Sequence, residues 1–247
     1  MPTSTRRVAL ITGGRRIGLA LSEALAVRGF DVALSFARSE AAAPAAADAA
    51  SRHGARGQTF RADLSNPADC DALINSTVDA FGRLDAFIHL ASAYVQRPFA
   101  DLTVDDWNAA LNVDLRAAFL CAQSAAPHMR QRGGGHMVLI SDWVSASGRP
   151  RYPGYVPYYV AKAGVIALTE ALALELASDN ILVNCVAPGP VLPLPGASTE
   201  SQAAVERAVP LGRWGGAEAV AKAVVGLIDS DFITGETIRV DGGRHLR

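Results

Sequence analysis

Tyr158 and Lys162 stand four positions apart in a stretch of sequence whose composition suits a helix. At this spacing both side chains project from one face of the helix. A phenol has a reference pKa of about 10, and a neighbouring ammonium group stabilises the phenolate and so lowers that pKa toward neutrality. The pair therefore predicts a proton donor tuned by a cation. The alternative is a tyrosine and a lysine that share a helix face by chance, because this spacing is common in proteins.

A glycine-containing loop near the N-terminus supplies the context for that pair. Residues 8–11 form a buried-strand pattern, residues 12–18 form the loop, and a helical pattern follows over residues 19–28. Backbone N–H groups at the start of a helix, together with the helix dipole, can bind the pyrophosphate of a dinucleotide. Since the loop lies at the first strand-to-helix junction of a longer series, we expect a dinucleotide site rather than a merely structural turn.

The end of the second predicted strand indicates which dinucleotide binds. A site for NAD would place an acidic residue there, next to the 2'-hydroxyl of the adenosine, but residues 35–39 contain no acid. Arg38 and Ser39, with Arg15 or Arg16 from the glycine loop, suit a 2'-phosphate, because guanidinium groups bind phosphate oxygens in a bidentate manner. The pattern predicts NADP(H). The alternative is a set of solvated surface arginines.

Strand and helix patterns alternate along the whole chain, and the strands are continuously apolar. This arrangement predicts an α/β fold with a doubly wound, seven-stranded parallel sheet covered by helices on both faces. Helices are expected at about residues 40–53, 67–81, 104–129, 158–177 and 218–228. The strands are expected at residues 8–11, 31–36, 58–62, 84–90, 136–141, 181–186 and 237–240.

Polar or glycine-containing clusters follow most of the predicted strands, at 13–18, Arg38, Asp63, 91–94, Asp142 and 188–191. Ligands bind beyond the carboxyl ends of the strands in sheets of this kind, so we expect one site at that edge. Residues 188–216, rich in Pro, Gly and Ser, are the expected substrate loop. His89 lies within a strand pattern, where we expect a hydrogen-bonded core histidine.

Composition excludes several classes of protein. Half of the 247 residues are hydrophobic and 19% are charged, which favours a single globular domain spanning residues 1–247. The net charge of −1 and the lack of a basic cluster argue against a nucleic-acid partner. No stretch is long enough to cross a membrane, and no Cys/His spacing predicts a metal site. Cys70, Cys121 and Cys185 are expected to be reduced core thiols. We therefore expect a cytoplasmic protein.

The chain resembles the short-chain dehydrogenase/reductase family over essentially its full length. The resemblance is carried, in sequence order, by the glycine loop, Asp63, Ala91, Asn112, Tyr158, Lys162 and the final Asp241-Gly242-Gly243. It implies a Rossmann fold, hydride transfer with nicotinamide, Tyr158 as the acid, Lys162 as its partner, and Asn112 as the continuation of the proton relay. It also implies a homotetramer. The implied cofactor-binding residues are Gly13, Arg15, Arg16, Ile17, Arg38, Ser39, Asp63, Leu64, Ala91, Ser92, Tyr158, Lys162, Pro188, Gly189 and Val191.

Asp142 departs from the family pattern, which usually has a serine at this point to bind the substrate carbonyl. The same replacement occurs in pteridine reductases, which the chain also resembles in its arginine-bearing loop, in residues 36–39 and in residues 91–94. That resemblance implies that Arg16, Tyr94, Asp142 and Tyr158 contact a flat pterin ring. A carboxyl group suits ring nitrogens because it accepts from N–H groups or relays a proton to Tyr158.

Two further departures concern spacing. Ser145 lies nearer to Tyr158 in sequence than Asp142 does and competes for the serine role, although Asp142 is favoured because it follows a strand directly. The glycine loop is one residue shorter than the usual version.

These observations predict an NADPH-dependent reductase of a pterin or dihydrofolate-like ring, in which Tyr158, Lys162, Asp142 and Asn112 are catalytic. The first alternative is an NADP(H)-dependent carbonyl or 3-oxoacyl-thioester reductase, with Ser141 or Ser145 polarising the carbonyl. The second is a cofactor-sensing binding protein without turnover, against which the intact tyrosine and lysine argue.

Overall fold

Seven parallel strands form one sheet in the computed structural model, which describes residues 6–13, 17–37 and 43–247. The strand order across the sheet is β3-β2-β1-β4-β5-β6-β7, so the winding direction reverses between β1 and β4. The strands are β1 (Arg7–Thr12), β2 (Phe30–Phe36), β3 (Gly57–Arg61), β4 (Ala86–His89), β5 (Gly135–Ile140), β6 (Ile181–Pro188) and β7 (Thr237–Val240).

Helices join successive strands and cover the sheet. A π-helical segment (Leu111–Arg116) separates α4 from α5. The helices are α1 (Gly18–Val27), α2 (Ala43–Ser51), α3 (Pro67–Phe81), α4 (Val104–Ala110), α5 (Ala117–Arg130), α6 (Trp143–Ala146), α7 (Val156–Leu176), α8 (Thr199–Ala208) and α9 (Ala217–Ile228).

The core has two halves because successive side chains of a strand point to opposite faces of the sheet. Leu10 and Phe87 pack with α3 and α5 on one face, whereas Ile11 and Ile88 pack with α1 and α9 on the other. All four side chains are fully buried. This double burial explains why the strands read as continuous apolar runs.

The predicted fold class, a single Rossmann domain with a seven-stranded parallel sheet, is confirmed. The helix predicted at 67–81 has the expected bounds, because Asn66 caps its first turn and Gly82 ends it in a left-handed conformation. The continuous helix expected at 104–129 is instead interrupted by the π segment. The expected substrate loop contains α8, which the sequence analysis did not predict.

Candidate active site

The carboxyl ends of the central strands bring distant segments together at one edge of the sheet. Gly13 follows β1 with a φ of 69°, and a Cβ atom there would lie 2.8 Å from the Cα of Ala91, which follows β4. Gly189 follows β6, and a Cβ atom there would lie 2.5 Å from the Cβ of Asp241. Only glycine permits either approach, so the loops around the cleft lie closer to one another than side chains would allow.

Tyr158 and Asp142 meet at this edge. Tyr158 lies in the first turn of α7, and Asp142 follows β5 and caps α6 by accepting a bond from the Val144 N–H at 2.8 Å. The Tyr158 hydroxyl donates to Oδ2 of Asp142 at 3.0 Å. A strand end and a helix start, both rigid elements, therefore hold a phenol and a carboxyl group in direct contact.

The two serines that competed for the role of Asp142 point elsewhere. The Ser141 hydroxyl donates to the carbonyl of Lys162 at 2.8 Å, and the Ser145 hydroxyl donates to the carbonyl of Tyr159 at 3.2 Å. Both hydroxyls thus bond to the backbone of α7. Of the three candidates, Asp142 is the one whose side chain contacts the Tyr158 hydroxyl.

Lys162 is bound by partners other than the Tyr158 hydroxyl. Its ammonium group donates to the carbonyl of Ile140 at 2.8 Å and forms an ion pair with Oδ1 of Asp114, also at 2.8 Å. The Nζ atom lies 5.7 Å from the centre of the Tyr158 ring. In this geometry the charge of Lys162 is already matched by a carboxylate.

The expected lowering of the Tyr158 pKa is therefore wrong for this structure. Burial raises the pKa of Tyr158 well above its ordinary value, and the negative charges of Asp142 and Asp114 raise it further. Burial also raises the pKa of Asp142, although the hydrogen bonds from Val144 and Tyr158 oppose that rise. Both acids consequently keep their protons to higher pH than exposed groups would.

Asp114 is the residue that the sequence analysis missed. It lies in the π segment, is 0% exposed, and accepts from the Ser92 hydroxyl at 2.5 Å and the Ala93 N–H at 2.8 Å. A signal was present: Asp114 shares a helical spacing with the buried Ala110, Ala117 and Ala118, which places an acid on an inward face.

Asn112, the expected relay residue, forms no hydrogen bond with Tyr158 or Lys162 among the described residues. It lies in the π segment and is partly exposed. Among the residues that the structure describes, its side chain forms no hydrogen bond. The residue of the π segment that contacts Lys162 is Asp114, two residues further along the chain.

His89 connects β4 to the π segment. Its Nε2 atom lies 3.0 Å from the carbonyl oxygen of Val113, and its Nδ1 atom lies 2.9 Å from Oγ1 of Thr12. A carbonyl can only accept, so Nε2 carries the hydrogen and Thr12 donates to Nδ1. Burial lowers the pKa of His89 to about 4, with a further contribution from the charge of Lys162. It is the bonded core histidine that the strand pattern indicated.

Aromatic rings form one wall of the cleft beside Tyr158. Tyr94 stacks on Tyr155 with ring centres 4.8 Å apart and an angle of 23°, and its edge meets Tyr158 at 4.8 Å. Tyr94 remains 47% exposed, so it can still contact a ligand. A small pocket of about 30 Å³ reaches Tyr158 between α4 and the segment after β4.

The adenosine end of the predicted cofactor site is partly described. The exposed Asp63 follows β3, and its Oδ1 atom accepts from the Ser65 hydroxyl at 2.7 Å and the Ser65 N–H at 3.1 Å. Leu64 is buried beside it, and Arg116 donates to the Ser65 carbonyl at 2.6 Å. Four predicted cofactor contacts lie outside the described residues: Arg15, Arg16, Arg38 and Ser39.

The other predicted cofactor contacts lie around the same edge. Ile17 immediately precedes α1, and Ser92 and Ala91 follow β4. Val191 is buried behind Gly189, and Pro188 ends β6. The close approach at Gly13 and the exposed Asp63 leave a backbone-lined edge, which fits an extended dinucleotide.

Neither a metal-binding cluster nor a membrane-spanning helix is found in the described residues. In residues 6–13, 17–37 and 43–247, no group of three or more His, Cys, Asp or Glu side chains is placed to hold a metal ion. None of the helices in those ranges combines the length and the hydropathy that a membrane span requires.

Comparison with known proteins assigns the family. Residues 13–245 match the family model described as "Enoyl-(Acyl carrier protein) reductase". The 3-oxoacyl-[acyl-carrier-protein] reductase of Synechocystis sp. is 33% identical over 247 residues, which cover 98% of each chain. The (2S)-[(R)-hydroxy(phenyl)methyl]succinyl-CoA dehydrogenase subunit BbsD of Thauera aromatica is 36% identical over 256 residues, with 97% of each chain covered.

The solved structures agree. Acetoin dehydrogenase from Enterobacter cloacae superposes with a TM-score of 0.89 and 36% identity, covering 99% of this chain and 97% of that one. This chain therefore belongs to the short-chain dehydrogenase/reductase family, whose members are oxidoreductases that use a nicotinamide cofactor. Neither the family model nor these three proteins supports the predicted likeness to pteridine reductases in particular.

Proposed function

We propose that this chain catalyses the NADPH-dependent reduction of a carbonyl group, with a 3-oxoacyl thioester or a small oxo compound as the substrate class. The observation that carries the proposal is the contact between the Tyr158 hydroxyl and the Asp142 carboxyl at the carboxyl edge of the sheet. Relatives described as a 3-oxoacyl-[acyl-carrier-protein] reductase and an acetoin dehydrogenase support a carbonyl substrate over the pterin ring that the sequence analysis placed first.

The protein groups around the edge would hold the dinucleotide in an extended conformation. NADPH, when bound, supplies the hydride. The preference for NADPH over NADH rests on Arg38 and Ser39, which stand where an NAD site would have a carboxylate. Asp63 and Leu64 would border the adenine, and Gly13, Ile17, Ala91, Ser92, Pro188, Gly189 and Val191 would line the rest of the site.

Tyr158 would protonate the substrate oxygen as negative charge develops on it. A phenol whose pKa is raised by burial keeps its proton in the resting state, so it is available when an alkoxide, a stronger base, forms beside it. Burial raises the pKa of Asp142, and in its protonated form the carboxyl group would donate a hydrogen bond to the carbonyl oxygen. It would thus fill the role of the family's serine.

A second candidate substrate, a pterin or dihydrofolate-like ring, is favoured by one specific observation. Asp142 contacts Tyr158, whereas Ser141 and Ser145 both bond to the backbone of α7. A carboxyl group can accept from a ring N–H as well as donate, which a hydroxyl does less well. The exposed ring of Tyr94 would offer the flat contact that a pterin needs.

An assay with competing substrates tests the proposal. The purified protein is incubated with NADPH or NADH and, in parallel, with an acetoacetyl thioester, diacetyl, dihydrobiopterin or dihydrofolate, and the loss of the reduced cofactor's absorbance is followed. We expect turnover with NADPH and a carbonyl substrate, and a kcat/KM at least about tenfold lower with NADH.

Two results would contradict parts of this proposal separately. Turnover with the pterins alone would replace the first substrate class by the second and leave the reductase assignment intact. Oxidation of neither cofactor with any of the substrates would remove the reductase assignment for these substrate classes.

A further inference from the structure

The carboxyl group of Asp142 is bonded at both of its oxygens. Oδ2 accepts from the Tyr158 hydroxyl at 3.0 Å, and Oδ1 accepts from the Val144 N–H at 2.8 Å, which makes Asp142 the N-cap of α6. Because the two oxygens belong to one planar group, a shift of α6 that moves Oδ1 also turns Oδ2 away from Tyr158. The position of α6 therefore decides the contact on which the proposed chemistry depends.

The helix α6 depends on tertiary contacts for its position. It spans only four residues, Trp143–Ala146, and a helix of about one turn is not stable by itself in water. Trp143 is its most buried side chain, at 4% exposed. The guanidinium carbons of Arg151 and Arg244 lie over the Trp143 ring at 5.5 and 5.2 Å, and Tyr152 meets the ring at 6.3 Å. Two cations and an aromatic ring thus hold the first residue of α6.

Arg244 belongs to a turn that is built on a buried carboxyl group. Residues 241–247, the β7 turn, follow that strand directly. Asp241 is 6% exposed and accepts from the backbone N–H groups of Gly243 and His245, both at 2.9 Å. It also accepts from Nδ1 of His245 at 2.7 Å. Three donors on one side chain fix the conformation of the β7 turn, so Arg244 approaches Trp143 from a defined point.

Two further arginines connect α6 to β7 and to the β7 turn. Arg239 of β7 donates to the carbonyl of Ala146, the last residue of α6, at 2.9 Å. Arg151, from the segment after α6, donates to the carbonyl of His245 at 3.3 Å and to that of Arg247. The last carbonyls of a helix lack partners within the helix, so a cation there is favourable. Both ends of α6 are consequently held from outside it.

We propose that Arg244 is a positioning residue: its contact with Trp143 holds α6 where the Asp142 carboxyl group faces the Tyr158 hydroxyl. In the described chain Arg244 bonds to neither member of that pair, so its effect passes through α6. The proposal rests on the proposed function only for the catalytic meaning of the contact between Asp142 and Tyr158.

The carboxyl resonance of Asp142 tests the proposal without substrate or cofactor. In protein with isotope-labelled aspartate carboxyl groups, the signal that is absent from Asp142→Asn identifies Asp142, and its position in Tyr158→Phe marks loss of the hydrogen bond. In Arg244→Gln we expect the signal to shift toward its position in Tyr158→Phe. Arg244→Lys keeps a cation for the ring and should stay near the parent. Arg132→Gln, which changes an exposed arginine after α5, is the matched control. A signal of Arg244→Gln that coincides with that of the parent would overturn the proposal.

Kinetics separate positioning from a general loss of structure. With the substrate on which the parent is active, kcat should fall about tenfold in Arg244→Gln, and the KM for NADPH should stay within about twofold. Arg244→Lys should restore most of the lost kcat. In Asp142→Ala, which has no carboxyl group to position, adding Arg244→Gln should change kcat by less than about twofold. An equal fall in both backgrounds would mean that Arg244 acts through general stability, and the positioning role would be lost.

Failure of this proposal can be told apart from failure of the proposed function. A parent-like resonance in Arg244→Gln removes the role of Arg244 and leaves the proposed reductase untouched. Absence of cofactor oxidation in the substrate assay removes the proposed function, and the resonance still decides whether Arg244 sets the direction of the Asp142 carboxyl group.

Discussion

The acid of the candidate site is a pair of residues rather than a single phenol. Tyr158 donates to Asp142, and burial raises the pKa of both groups. Under the proposed function, a ligand that replaces this bond would allow either oxygen to give a proton to the substrate. The carboxyl group therefore widens the chemistry that the family's tyrosine can support, because it can also bond to nitrogen.

His89 makes the folded state sensitive to acid. Its pKa is lowered to about 4 in the folded protein, against 6.5 for the ordinary group, so the unfolded chain binds the proton more tightly. The stability that this difference represents is present above pH 6.5 and is lost as the pH falls toward 4.

We expect His89→Gln to flatten the dependence of stability on pH. Between about pH 7.5 and about pH 5, the parent should lose on the order of 2 kcal/mol more of its free energy of unfolding than the variant. Urea denaturation at the two pH values measures this, with the partly exposed His128→Gln as the control. Equal losses in the parent and His89→Gln would mean that His89 is not held neutral by the fold.

Residue roles were only partly predictable from the sequence. The spacing of Tyr158 and Lys162 places both on one helix face, but it does not reveal that Lys162 pairs with Asp114 from another segment. Burial, together with the charges of Asp142 and Asp114, raises the pKa of Tyr158, which the spacing alone was expected to lower. This rise depends on tertiary packing, which local spacing does not contain.

At the scale of elements, the π segment is the feature with the most consequence. It inserts an irregular turn between α4 and α5 and places the buried Asp114 beside Lys162. π-helical turns are rare and are frequently found at functional sites. The apolar periodicity of residues 104–129 fits a continuous helix, so the interruption could not be predicted from that pattern alone.

The segment predicted to cover the substrate contains an isolated helix. None of the residues of α8 is buried, whereas α9 buries Val220, Val224 and Leu227. Few buried apolar contacts mean a low free energy of local opening.

We expect the amide hydrogens of α8 to exchange with solvent faster than those of α9, and to slow when NADPH and a substrate are bound. Hydrogen exchange followed by mass spectrometry on peptides from Thr199–Ala208 and Ala217–Ile228 measures both effects. If α8 were as protected as α9 in the free protein, this segment would not be a lid of low local stability.

At the scale of the whole molecule, the fold was largely predictable. Strands that are buried on both faces appear in the sequence as apolar runs, and helices appear as stretches bounded by residues such as Asn66 and Gly82. The alternation of these two patterns along the chain predicts the class of fold. Short elements such as α6 and α8 were missed because four to ten residues carry too little periodicity.

Two helices that flank the site expose apolar side chains. Phe119, Val160 and Leu174 are apolar side chains exposed on α5 and α7, the kind of surface that a second copy could cover. The homotetramer and the cytoplasmic location accordingly stay predictions.

The proposed function depends on the Tyr158 hydroxyl as the proton donor for an NADPH-dependent reduction. Tyr158→Phe removes that oxygen, and Tyr159→Phe makes the same change one position along the helix, where the side chain projects about 100° away. With the substrate on which the parent is active, kcat should fall by about a hundredfold or more in Tyr158→Phe and stay within about twofold of the parent in Tyr159→Phe. A folded Tyr158→Phe variant that keeps the kcat of the parent would contradict the account.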